Sequence, residues 1–174
     1  DVAHSLTVLK AHGIVAPIDA ALVLGTGLGA LVGQLDDAVS IPYSALPGFP
    51  LSGVSGHSGM LHAGLLSGRR VLVMQGRNHY YEHGNARAMR TPIAVMAALG
   101  AQFVMLTNAA GSLLAHAGPG SIVAISDHIN FSGLNPLIGE TDDRRFVPMT
   151  DAYDRALLQQ LLSSAQHAGH AIKS

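Results

Sequence analysis

The sequence contains no cysteine, and that absence excludes a disulfide framework, a thiolate zinc site and a cysteine nucleophile. A reducing cytoplasm is the default home of such a chain. Charge is scarce too: 12% of residues are Asp, Glu, Lys or Arg, about half of the ~25% usual in globular proteins. Ten basic and eleven acidic residues leave a formal net charge of -1. No Lys/Arg cluster is long enough to track a phosphate backbone, so nucleic acid is not expected as a partner. With 48% hydrophobic residues, either an oligomer interface or an enclosed site is expected to hide the apolar excess.

Other absences narrow the class further. Thr91 to Ser126 carries no charged residue, but Gly100, Gln102, Asn108, Gly111 and Pro119 break it into short apolar runs. It reads as buried core, and no membrane partner is expected. Asp1-Val2-Ala3-His4 lacks an initiator Met and a basic region followed by an apolar stretch, so no secretory signal is read. There is no internal repeat, low-complexity tract or linker. The 174 residues are expected to form one continuous domain, 1–174, that buries about 70% of its unfolded surface. Because the chain stops at Lys173-Ser174 without a turn or cap, that domain reads as truncated at its C-terminus.

What is present is an alternation of strand and helix signals. Ala20 to Leu24 is an apolar run entering a glycine-rich turn. Met60 to Leu66 and Arg69 to Gln75 are joined by Ser67-Gly68, a hairpin signal. Ala86 to Leu99 has helical composition, ends at Gly100 and has Pro92 marking a late start or kink. Phe103 to Thr107 and Ser121 to Ser126 read as strands, and Asp151 to Ala168 as an amphipathic helix with Leu157, Leu158, Leu161 and Leu162 on one side. The fold class is therefore α/β, a central mixed sheet flanked by helices.

Three segments carry chemistry. Gly25-Thr26-Gly27-Leu28-Gly29-Ala30 satisfies the dinucleotide pattern G-x-G-x-x-G/A. That fingerprint also needs an acidic residue about 20 positions on, and no Asp or Glu lies between Asp37 and Glu82. Two readings remain: an anion cradle of backbone N–H groups with the Thr26 hydroxyl, or a turn that merely joins two elements. Gln75-Gly76-Arg77-Asn78-His79-Tyr80-Tyr81-Glu82-His83-Gly84 concentrates a guanidinium fork, imidazole, phenol and carboxylate. The same letters spell H-x-x-E-H, a zinc-protease motif, although zinc needs both histidines on one helix face and a turn fits this segment better; a structural Arg-Glu pair is a further alternative. Thr107-Asn108-Ala109-Ala110-Gly111-Ser112 leaves backbone N–H groups accessible. His57, between Gly56 and Ser58-Gly59, sits in a glycine-rich segment, and Phe146 stands in the charged stretch Asp142 to Arg145, where an aromatic suggests a partner surface.

In their order along the chain these segments resemble the trimeric class of purine nucleoside phosphorylase. Gly25-Thr26-Gly27-Leu28-Gly29 is similar to its phosphate loop, Gly56-His57-Ser58-Gly59 to its mobile gate, and Gly76-Arg77-Asn78-His79-Tyr80-Tyr81-Glu82 to its signature. Thr107 to Gly111, Asp127-His128-Ile129-Asn130, Asn135-Pro136-Leu137 and Met149 to Asp154 resemble its later blocks. The resemblance implies phosphorolysis of purine ribonucleosides to free base and ribose 1-phosphate by a cytoplasmic homotrimer of purine salvage, with no metal and no organic cofactor. It implies phosphate binding by Thr26, His57, Arg77, His79 and the Ala109 N–H, with His79 and Glu82 catalytic and Glu82 orienting both His79 and the anion. It implies ribose contacts from Tyr81 and from a Phe146 lent by a neighbouring subunit.

The blocks that would follow in that family, carrying the base-recognising Glu and Asn and a second phosphate-binding Ser, are not in the sequence. His83 stands where the family has glycine. A methylthioadenosine phosphorylase and a catalytically incomplete anion-binding homologue are therefore the alternatives. On this reading a chain ending at Ser174 is expected to be poorly folded or inactive by itself.

Overall fold

The computed structural model describes residues 1–51 and 59–173, which fall into two compact units, Asp1–Ala109 and Ala110–Ser174. In the first unit the elements are α1 (Val2–Ala11), β1 (Ala20–Leu24), β2 (Asp36–Pro42), β3 (Met60–Leu66), β4 (Arg69–Gln75), α2 (Tyr80–His83), α3 (Arg90–Ala98) and β5 (Val104–Leu106). A short 3-10 segment, Gly29–Gln34, follows β1. The five strands lie in the order β2-β3-β4-β1-β5. β2, β3 and β4 pair antiparallel, whereas β1 runs parallel to both β4 and β5. The sheet is mixed, as the sequence predicts.

Local chemistry explains most of these elements. All of β1 is buried, the condition under which a strand reads as a continuous apolar run. Ser67 and Gly68 take φ of 50° and 76°, so both central positions of the β3–β4 hairpin are left-handed, as a two-residue loop matching the strand twist requires. α3 begins four residues later than the composition suggests. Pro92 sits in its first turn, where a missing N–H breaks no helical bond. The edge strand β5 is shorter than the predicted 103–107, but the pairing extends beyond it: Ala21 N–H donates to Phe103 O at 3.1 Å and Thr107 N–H to Val23 O at 3.1 Å.

The two sheet faces are unequal. On one, Ala21, Val23, Leu61, Leu72 and Met74 pack with Leu9 of α1 and with Val95, Met96 and Leu99 in and beside α3. On the other, Leu22, Leu24, Val71 and Val73 meet Leu35, with Leu31 and Val32 of the 3-10 segment at the margin.

The second unit contains β6 (Ile122–Val123) parallel to β7 (Ile172–Lys173), and α4 (Arg155–His167). The predicted helix 151–168 starts at Arg155 because Asp154 caps it: its carboxylate accepts the Leu157 N–H at 2.9 Å. The predicted strand 121–126 is reduced to two residues, the length over which β7 offers partners. Ala117 and Ala124 are buried there, while Leu113, Ile129 and Phe131 are exposed. No helix among the described residues is long and apolar enough to cross a membrane.

Candidate functional site

Because β4, β1 and β5 are parallel neighbours, the chain leaves all three at one end of the sheet; Leu24 is in register with Gln75, and Val23 with Leu106. The crevice outside the carboxyl ends of parallel strands is where open α/β sheets bind ligands. Three of the sequence-predicted segments emerge there together. A Cβ on Gly25 would lie 2.7 Å from the Thr107 carbonyl oxygen, so only glycine permits this approach of backbone to backbone. Gly25 N–H donates to Thr107 Oγ1 at 2.8 Å, and that hydroxyl donates to Val23 O at 3.2 Å. The Arg77 guanidinium in turn donates to the Thr107 carbonyl. Thr107 thus binds the glycine turn with one atom and Arg77 with another.

Arg77 is half-buried, and burial lowers its guanidinium pKa from the ordinary value, with Tyr81 acting in the opposite sense. Gly76, at φ 102°, has its carbonyl held by the Tyr43 hydroxyl at 2.7 Å. Tyr43 is buried against Phe49, and burial pushes its phenol well above the usual range, which keeps the O–H a donor. Beyond Arg77, His79 is extended (φ -110°, ψ 148°) and precedes α2. Its N–H donates to Glu82 Oε1 at 2.6 Å, so the carboxylate secures the backbone that carries the imidazole. The His79 and Tyr81 rings stack at 4.9 Å, 9° from parallel.

The H-x-x-E-H alternative requires two histidines one turn apart on a helix. Instead His79 lies outside α2 in extended backbone, and His83 ends that helix before Gly84 turns left-handed at φ 65°. Among the described residues no three His, Cys, Asp or Glu side chains gather as a metal site would need.

The remaining candidates are more scattered. Thr26 and Ala109 are exposed at the same end of the sheet, and Tyr81 is largely exposed. His57 lies outside the described residues. Phe146 belongs to the second unit, where it is 71% exposed with the Arg145 guanidinium 4.6 Å from its ring centre. In that unit two of the later blocks meet, His128 packing edge-on against Tyr153 at 5.7 Å.

The sequence does not reveal the groups that hold this end of the sheet in shape. Thr107 bonds across 82 positions, Gln75 across 46 to Gly29 O, and Tyr43 across 33 to Gly76; no spacing rule signals such pairs. Asn78 is 6% exposed, and neither its Nδ2 nor its Oδ1 has a hydrogen-bond partner. A cavity of about 160 Å³ lined by Ile14, Ile18, Val39, Ala63 and Arg70 contains none of the candidate residues.

Residues 19–174 match the family model described as the phosphorylase superfamily. Purine nucleoside phosphorylase 1 of Geobacillus stearothermophilus is 44% identical over 155 residues, which is 87% of this chain and 57% of that protein. The purine nucleoside phosphorylase of Bos taurus is 43% identical over 155 residues, 86% of this chain and 54% of its own length. This chain spans a little over half of each relative. Among solved structures, isoform 2 of the purine nucleoside phosphorylase of Schistosoma mansoni, in complex with cytosine and ribose-1-phosphate, superposes with a TM-score of 0.89 at 36% identity, covering 99% of this chain and 63% of that one.

Proposed function

Since the chain belongs to the phosphorylase superfamily, we propose that it forms the phosphate and sugar side of a purine nucleoside phosphorylase. The observation that carries this reading is the junction at Thr107, which ties the glycine turn and Arg77 together at the carboxyl ends of three parallel strands. In this reading an oxyanion there is held by backbone N–H groups of the glycine turn, by the Thr26 hydroxyl and by the Arg77 guanidinium. Its second substrate is a purine ribonucleoside, in keeping with the names of the relatives. In the reaction a phosphate oxygen forms a bond to the anomeric carbon as the glycosidic C–N bond breaks. The bonding pair leaves with the purine and is neutralised by a proton. Charge develops on an oxocarbenium sugar between nucleophile and leaving group, so fixed donors under the sugar stabilise the transition state and orient the attack.

Thr26, His57, Arg77, His79 and the Ala109 N–H hold phosphate, and Glu82 keeps His79 in position. Tyr81 contacts ribose. Phe146 serves the sugar pocket of a neighbouring subunit in a homotrimer, for which its exposure is the supporting observation. Neither metal nor organic cofactor takes part, phosphate being a co-substrate, and the enzyme works in the cytoplasm in purine salvage. The test is direct: the protein that carries this chain at the full length of its relatives should turn inosine into hypoxanthine and ribose 1-phosphate only when inorganic phosphate is supplied, and chelator should leave the rate unchanged. Inosine loss that is equally fast without phosphate would make the protein a hydrolase and sink the reading.

A further inference from the structure

Ser40, His62 and Gln75 stand on the adjacent strands β2, β3 and β4, on the sheet face that carries Val71 and Val73. His62 is in register with Ser40 on one side and Val73 on the other. It is 7% exposed, yet both of its ring nitrogens are bonded: Nδ1 to Ser40 Oγ at 2.7 Å and Nε2 to Gln75 Oε1 at 3.0 Å. Gln75 Nε2 donates to the Gly29 carbonyl at 3.1 Å. The donor order follows from the last bond. A backbone carbonyl only accepts, so the Gln75 NH₂ must face Gly29 and its Oε1 must face His62. Nε2 of His62 therefore carries a hydrogen, and in the neutral ring Nδ1 accepts from the Ser40 hydroxyl. The seat is close: a Cβ on Gly29 would come within 3.0 Å of Gln75 Nε2.

We infer that His62 is a positioning residue for the glycine turn, holding Gln75 so that its amide fixes Gly29 and, with Thr107 gripping Gly25, clamps the turn at both ends. Apolar residues would pack equally well at a position on β3 whose strand neighbour is Val73, so a satisfied imidazole there needs a polar reason, and the relay to Gly29 supplies it. As a statement about phosphate the inference rests on the functional reading above; as a statement about the turn it does not.

The protein as it exists is compared with its His62→Val, His62→Gln and Gln75→Met variants. In the wild type, nitrogen NMR should show hydrogen on Nε2 of His62 and not on Nδ1. Hydrogen exchange at the Gly27 to Ala30 amides should accelerate in His62→Val and Gln75→Met. Inorganic phosphate should bind each about three- to tenfold more weakly, raising the KM for phosphate more than that for inosine. His62→Gln, which can still donate to Gln75, should restore most of the loss, and adding Gln75→Met to His62→Val should cost little more, because both break one relay. Unchanged turn exchange in both apolar variants, or hydrogen on Nδ1 alone, overturns the inference. If the wild type neither binds phosphate nor cleaves inosine, the functional reading fails, while the exchange data still decide whether His62 holds the turn.

Discussion

Residues 1–109 bury Leu61, Leu72, Val73 and Val95 completely, whereas in residues 110–173 Leu113, Ile129 and Phe131 are 79% to 104% exposed. The first unit has a closed core: one sheet face is covered by helices, the other partly by the 3-10 segment, while the edge strand β5 stays exposed. The second holds two strands of two residues each and a helix with no fully buried side chain. Exposed apolar side chains therefore occur in both units, in the first chiefly along β5 and in α2, but only the second lacks a buried core beside them, and there regular structure is short. Where side chains bury, the hydrophobic effect offsets ordering entropy and long strands form; where they do not, bends and turns remain.

The comparison is sharpest in a pair of leucines. Leu72→Ala should cost about 2–5 kcal/mol of stability, the transfer and cavity terms of a fully buried site. Leu113→Ser should stay within about 0.5 kcal/mol. Denaturant unfolding of both variants checks the contrast, and a Leu113→Ser cost equal to that of Leu72→Ala would mean that its side chain is covered in solution.

A second effect belongs to the site. Arg77 donates to the Thr107 carbonyl, and in the proposed site the rest of its planar fork is left for the anion, a geometry that the compact ammonium of lysine does not reproduce. Arg77→Lys should therefore lower kcat/KM for phosphate by about 10², although the charge is retained. Wild-type phosphate affinity in that variant would remove Arg77 from the anion site.

What could be read in the sequence follows the same division between local and distant causes. β1, the β3–β4 hairpin and the body of α4 are legible because apolar periodicity and Ser67-Gly68 each act within a few residues; the start of α4 at its Asp154 cap is not. The sequence reading has no counterpart of α1: Asp1 makes no side-chain cap bond, although Val2, Leu6 and Leu9 recur at helical spacing and pack on the core. β2 was missed because it is mostly exposed and its pairing shifts between Asp36 and Val39. At the site, the glycine turn and the Arg77 to Glu82 run were visible as contiguous motifs. Thr107 as a junction, Tyr43 as a prop and the Gln75–His62 relay were invisible, since each is defined by strand neighbours far away in sequence.

Asn78 tests that lesson on a smaller scale. It lies in a polar segment, but its amide is buried without partners. Burying a donor and an acceptor unsatisfied costs about 1–3 kcal/mol, and a leucine of similar reach has no such groups. Asn78→Leu should raise stability by about 1–2 kcal/mol, read as a higher thermal midpoint. A lower midpoint would show that the amide is engaged in the protein in solution.

The smallest expected effect probes the open unit where its structure is most regular. α4 buries no side chain fully, Leu157 and Leu158 of its first turn being half-buried, so the Asp154 carboxylate on the Leu157 N–H supplies much of the hold on that turn. Replacing it by alanine leaves that N–H to water and removes a negative charge from the positive end of the helix dipole. Asp154→Ala should cost about 1 kcal/mol or less, and the loss should be local: amides of the first helical turns exchange faster, with those of Leu72 to Met74 in β4 as the reference. If β4 loses protection in step with α4, the helix is part of the same cooperative unit as the sheet, and the contrast between a closed and an open region does not extend to their unfolding.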